Sequence, residues 1–342
     1  MIIDTHAHVT GPMEMYEYFR GYTNVSGPAG RAIQRYKIED ARLEESLQGH
    51  MKEVDGVGTN LQLISPRPWA IPTAERRTPL VMNIAQSVND LIAQTVKLHP
   101  ERFAGLGAIP QSPHLMPEDA LEEMDRCVND LGFIGFKINP DPGEGGWEVP
   151  HMGEKYWYPI YDKMCQLDAP ALIHGGPFRF SREPEMGYFV QEETVAGWAL
   201  LRSPKVWRDF PNLKIILGHG GGYIPYQFGR ARCFRMNEGR RGGDASLLEP
   251  FEDTMRRLYF DTCLFDQEAL ELLFKVAGTD RCLFGTDKPA NGSVIDPRTG
   301  RSLNDVKPKI DAIDWLTDDD RYAIYEGNAR TAFSRLKAPA TA

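Results

Sequence analysis

Eight short runs of β-branched and aliphatic residues recur along the chain, and most are continuously apolar rather than alternating: Ile2–His6, Asn60–Ile64, Phe103–Ile109, Gly135–Ile138, Ala171–His174, Lys214–His219, Leu258–Asp261 and Cys282–Asp287. Continuous apolar character is what a strand covered on both faces needs, as in a parallel sheet. Between the runs lie segments of helical period. Val81–His99 carries Val81, Ile84, Val88, Leu91, Ile92 and Val96 three or four apart, and Glu118–Leu131, Tyr156–Leu167, Thr194–Phe210 and Gln267–Ala277 follow. Strands alternating with helices specify βαβ units, and eight units close a barrel. The expected fold is therefore α/β, a (β/α)8 barrel of TIM type. An open doubly wound sheet is the rival, but no G-x-G-x-x-G follows the first strand. The 342 residues exceed the roughly 250 that a plain barrel requires. Residues 1–342 are read as a single barrel domain with inserted loops at the carboxyl-terminal face.

Two connections are long. Residues 9–38 contain Tyr16, Tyr18, Tyr22, Gly21, Gly27 and Gly30; residues 288–307 include Ala290-Asn291-Gly292 and Asp296-Pro297-Arg298-Thr299-Gly300. Both follow strand carboxyl ends, where barrels build their active sites.

A net charge of −9 argues against a nucleic-acid partner, which would favour a basic face. The five cysteines (Cys127, Cys165, Cys233, Cys263 and Cys282) include no C-x-x-C pair, so buried free thiols in a reducing compartment are expected. The opening Met1-Ile2-Ile3-Asp4 does not read as a secretory signal, and no apolar run is long enough for a membrane span. A cytoplasmic location with no membrane partner is expected.

The runs end in chemistry. The first closes Asp4-Thr5-His6-Ala7-His8, and side-chain alternation points His6 and His8 the same way, into the barrel mouth. Ile173-His174-Gly175, Gly218-His219-Gly220 and Gly285-Thr286-Asp287 finish three others. Imidazoles and a carboxylate arriving from separate strand ends suit one first-row divalent ion, Zn²⁺ first and Mn²⁺ second.

The D-x-H-x-H strand, the fifth-strand His, the sixth-strand H-G-G-G and the eighth-strand G-T-D resemble the amidohydrolase superfamily across essentially the whole chain. Leu63-Ile64-Ser65-Pro66-Arg67-Pro68, Ile138-Asn139-Pro140-Asp141-Pro142, Tyr156-Trp157-Tyr158-Pro159 and the run His219–Tyr226 look most like a branch containing 4-oxalomesaconate hydratase and nonoxidative aromatic-acid decarboxylases. The resemblance implies His6, His8, His174 and Asp287 as metal ligands, with Asp287 also moving a proton and His219 catalytic. It implies a mononuclear site, with Lys137 as a pocket cation or barrel residue rather than a bridging group, and a homo-oligomer. At one position the chain departs from the hydratases: Asp287 stands where they carry Glu, as in the decarboxylases and most hydrolases.

A divalent ion acidifies water and polarises a carbonyl or carboxylate oxygen, and a neighbouring carboxylate can serve as acid or base. Three reactions use these parts: hydration of a conjugated C=C, decarboxylation of an aryl acid, and hydrolysis of a lactone or amide. Arg67, Lys137, Arg179 and Arg182 follow or lie on strands around the mouth and would grip a polycarboxylate or aromatic acid, with Asn139 and Tyr223 as further substrate contacts. Asn139 and Asp141 could equally serve a turn. His50, His99, His114 and His151 are read as surface residues, and Tyr156, Trp157 and Tyr158 as helix packing. The leading reading is a metal-dependent lyase of aromatic-acid catabolism, hydrating 4-oxalomesaconate or a relative. Decarboxylation of a hydroxybenzoate comes second and hydrolysis third.

Overall fold

The computed structural model of the chain describes residues 1–9, 11–24, 34–176 and 186–336. Eight strands form one sheet in sequence order: β1 (Ile3–His8), β2 (Leu61–Ser65), β3 (Phe103–Ala108), β4 (Gly135–Ile138), β5 (Ala171–Ile173), β6 (Ile215–Leu217), β7 (Leu258–Asp261) and β8 (Cys282–Leu283). Every neighbouring pair is parallel. The ring is completed where Thr5 N donates to Phe284 O (2.8 Å) and Asp287 N donates to His6 O (2.8 Å). This is the expected (β/α)8 barrel.

The floor of the barrel is apolar. Ile3, Leu63, Leu106, Leu172, Ile216 and Leu283 meet inside it, and Ala329, Ala332 and Phe333 near the carboxyl end join the same cluster. Outside, amphipathic helices cover the strands. Thr78–Leu98 has Pro79 in its first turn, a position whose N–H would be unpaired anyway, and buries Leu80, Ile84, Val88 and Ile92. Burial of this kind supplies most of a helix's stability in a globular fold.

Three expectations need correction. The helix expected over Thr194–Phe210 is two helices, Met186–Leu201 and Pro204–Asp209, because Pro204 cannot continue the first and instead begins the second. The connection after β1 holds a helix, Met13–Asn24, that buries Met15, Tyr16 and Phe19. His50 is not at the surface: it is 4% exposed on the helix Asp40–Gly56 and faces Gln62 of β2. His114 and His151 are exposed, as expected, and His99 is partly buried. All five cysteines are free; Cys127, Cys263 and Cys282 are buried, whereas Cys233 is exposed. Among the described residues no helix is long and apolar enough to cross a membrane.

Candidate active site

The site begins with Asp4, which is fully buried and staples β1 to β2 and to the segment that follows β8. Its carboxylate accepts from His6 N (3.2 Å), Gln62 Nε2 (2.9 Å), Thr286 N (3.0 Å) and Thr286 Oγ1 (2.6 Å). Burial lifts its pKa to about 6 against these four hydrogen bonds. The β1–β2 register shifts between Asp4 and Ala7, an irregularity that contains His6 and immediately precedes His8.

The tautomers of three imidazoles follow from their partners. His6 Nδ1 lies 2.6 Å from the Asp261 carboxylate, and His174 Nδ1 lies 2.8 Å from Gly175 O. Both partners only accept, so both Nδ1 atoms donate. Ser65 Oγ donates its proton to Ala7 O (3.1 Å) and so accepts from His8 Nδ1 at 3.0 Å. Each Nε2 is thereby left with a lone pair, the form a metal ligand needs. Nε2 of His6 and of His8 are buried and make no hydrogen bond. One ligand atom each from His6, His8, His174 and Asp287 lie within 4.8 Å of one another. Orphaned buried lone pairs converging on a carboxylate fit a divalent cation of the zinc or manganese type.

The charges agree with that fit. Burial holds His8 down at about 4 and His174 well below its ordinary value, so both are neutral. For His6 burial opposes charge, but Asp261 and Asp287 outweigh it and raise its pKa, so this ring would have to release a proton as a cation takes its Nε2. Asp287 sits at φ +56°, a left-handed conformation rare outside glycine. Its Oδ1 lies 3.1 Å from His8 Nε2 and 3.7 Å from His6 Nε2, while Oδ2 lies 3.9 Å from His219 Nε2. Burial raises its pKa, yet His219, His8 and His6 together hold it well below the usual carboxylate range.

His219 reaches the centre over a tight turn. It and the three glycines after it all have positive φ. A Cβ on Gly221 would stand 2.7 Å from the Phe260 ring, and one on Gly222 would stand 2.6 Å from Val190 O. Only glycine meets both demands. Gly220 N donates to Asp261 Oδ1 (3.0 Å), so one carboxylate positions both His6 and this turn. His219 Nδ1 faces both oxygens of the fully buried Glu193, and burial of the ring is outweighed by Glu193 and Asp287, which raise its pKa well above the ordinary value.

The predicted substrate contacts divide. Lys137 on β4 is 7% exposed, and burial pushes its pKa down to about 7 against the pull of Glu192 and Glu193. Its charge helps to lower the pKa of both His8 and His174. Arg67 is half-buried and donates to Pro289 O at 2.9 Å, joining the loops after β2 and β8. Asn139 takes the turn role: its side chain accepts from Asp141 N (3.0 Å) and donates to Thr73 Oγ1 (3.1 Å). Asp141 is likewise engaged by Gly143 N and Gly145 N. Tyr223 is 51% exposed. Arg179 and Arg182 lie outside the described residues. Sequence reasoning passed over Asp261, Ser65, Glu192 and Glu193. Asp261 carried a usable signal, since it ends β7 as a carboxylate at the mouth.

The family described as Amidohydrolase matches residues 3–335. The chain belongs to the amidohydrolase family. This amidohydrolase is 37% identical to a 2-keto-4-carboxy-3-hexenedioate hydratase of Sphingobium sp., over 99% of its own length and 97% of the relative's. It is 28% identical to a gamma-resorcylate decarboxylase of Rhizobium sp., over 86% of its length and 87% of the relative's. Among solved structures, a 4-oxalomesaconate hydratase from Rhodopseudomonas palustris superposes with a TM-score of 0.83 at 30% identity, covering 98% of this amidohydrolase and 96% of that chain.

Proposed function

We propose that this amidohydrolase is a metal-dependent hydratase. It adds water across the conjugated C=C of a small polycarboxylate, 4-oxalomesaconate or a close relative from aromatic-acid breakdown. The observation that carries the choice of reaction is the end-to-end likeness to hydratases in both sequence and structure. In this reading His6, His8, His174 and Asp287 hold one divalent cation, with Zn²⁺ the first candidate. When bound, such a cation polarises a carbonyl or carboxylate oxygen and acidifies water.

The residues around it divide the work. Asp287 turns Oδ1 toward His6 and His8 and Oδ2 toward His219, so one carboxylate serves the ligand set and the proton path together. It takes the proton from the attacking water as the water oxygen bonds to the alkene carbon. His219, its Nδ1 held by Glu193, presents Nε2 to the oxygen on which negative charge collects, and a proton returned to the neighbouring carbon restores the balance. Lys137, buried with no hydrogen bond or ion pair to a described residue, serves as counter-ion to a substrate carboxylate, and Arg67 as a second clamp.

Decarboxylation is the second reading, supported by the decarboxylase relative. Metal-replete enzyme given 4-oxalomesaconate should bleach the conjugated-ene absorbance without releasing bicarbonate. Bicarbonate from dihydroxybenzoates would select decarboxylation instead, and inactivity on both would leave hydrolysis.

A further inference from the structure

A second pocket opens at the far end of the barrel. Lys214 immediately precedes β6, Arg257 precedes β7 and Arg281 precedes β8, so these residues ring the amino-terminal face, away from the strand ends that carry the histidines. With Arg208 and Arg256 they line a pocket of about 480 Å³. That volume falls in the ordinary range for small-molecule sites. Five cations line this pocket and no carboxylate does, in a chain whose net charge is −9.

The acidic partners approach from outside the lining. Asp168 meets Lys214 at 2.9 Å, Asp244 meets Arg208 at 2.7 Å and Asp280 meets Arg256 at 2.5 Å. Arg257 and Arg281 are held less closely. The nearest carboxylate oxygen is 3.5 Å from Arg257, from Glu249, and 3.6 Å from Arg281, from Asp280. Arg281 Nε is buried and makes no hydrogen bond, while its guanidinium lies 5.2 Å over the ring of Tyr259, itself part of the lining. A guanidinium carries five N–H donors in a planar fork, so one loose ion pair leaves most of that capacity free for an oxyanion.

We infer that this amino-terminal pocket is a binding site for a small anion bearing two or more carboxylate or phosphate groups, gripped by Arg257 and Arg281 and flanked by Arg208, Lys214 and Arg256. Clustered cations in a concave site concentrate anions far more than isolated surface charges do. Tyr259 is buried beneath the pocket and backs the Arg281 guanidinium.

The test is calorimetric titration of the metal-replete enzyme with benzene-1,3,5-tricarboxylate and, separately, with fructose 1,6-bisphosphate. At least one should bind with Kd below about 1 mM. That binding should weaken by about tenfold or more in Arg257→Gln, a substitution of a partly exposed side chain that leaves turnover unchanged. Arg281→Met should weaken it similarly. Binding of the tricarboxylate alone identifies carboxylate chemistry, and binding of the bisphosphate alone identifies phosphate. If neither binds, or if both variants bind as tightly as the unmodified enzyme, the inference is overturned.

Discussion

The Glu193 carboxylate faces His219 with both oxygens, at 3.0 and 2.9 Å from Nδ1, from a position that is itself fully buried. Its Oε1 also accepts from Gly175 N at 3.1 Å, so one side chain fixes His219 and the segment that follows His174. A carboxylate acting through an imidazole sets the ring's tautomer and orientation. Glu193→Gln keeps an acceptor in place and removes the charge. Its kcat should fall by about tenfold to a hundredfold, with KM and metal content close to those of the unmodified enzyme. Steady-state kinetics beside elemental analysis reads both, and an equal loss of thermal stability and activity would reduce Glu193 to a packing role.

Lys137 should act on binding more than on turnover. It lies at the carboxyl end of β4, buried, with its ammonium weakened by desolvation and restored by any anion that enters beside it. A charge-assisted hydrogen bond contributes about 1.5–3 kcal/mol. Lys137→Met should therefore raise KM for a polycarboxylate by about tenfold or more while kcat changes less. If KM is unmoved, Lys137 is not a carboxylate contact.

Removal of the metal should stop the reaction and loosen the fold together. His6 Nε2 and His8 Nε2 have no hydrogen-bond partner, and Asp287 is held in a left-handed conformation beside them. A cation that binds the folded chain alone stabilises it by mass action. Chelator-treated enzyme should lose turnover and melt at a lower temperature, and added Zn²⁺ or Mn²⁺ should restore both. Full activity after stripping, verified by elemental analysis, would dismiss the ligand assignment.

The barrel and the histidines were legible in the sequence for one shared reason: both are written in short-range patterns. Continuous apolar runs mark buried strands wherever they pair, and a residue that ends such a run stands at the mouth. His6, His8, His174, His219 and Asp287 all came from that rule. Asp261 obeys it too and was read only as a strand terminus, because its role depends on His6, 255 residues away in sequence. Glu193 was harder to find. It sits on the helix Met186–Leu201, and its tie to His219 spans 26 residues and two elements. The available hint was the pair Glu192-Glu193 set between apolar neighbours such as Val190, Val195 and Ala196. Two adjacent carboxylates at buried positions rarely serve solvation. His50 was misplaced because a helix face cannot be assigned from one histidine without knowing that Gln62 lies opposite.

That histidine gives the protein a built-in sensitivity to acid. Gln62 Nε2 donates to Asp4, so its Oε1 is the atom that accepts from His50 Nε2 at 2.7 Å. His50 Nδ1 is then an unprotonated atom, buried and without a hydrogen-bond partner. Burial holds the folded-state pKa at about 4, below the ordinary 6.5, despite the hydrogen bond to Gln62. Between those values the unfolded chain binds a proton that the folded chain does not, so stability falls as pH falls through this window. Each unit is worth about 1.4 kcal/mol, and the full effect approaches about 3 kcal/mol near pH 4. Replacing the ring by His50→Gln removes this titration. The difference in unfolding free energy between the variant and the unmodified protein, taken from urea curves at pH 6.5, 5.5 and 4.5, should therefore shift steadily in the variant's favour as pH drops. A difference that stays constant across the series would mean that His50 is protonated in the fold and that its buried nitrogen has found a partner.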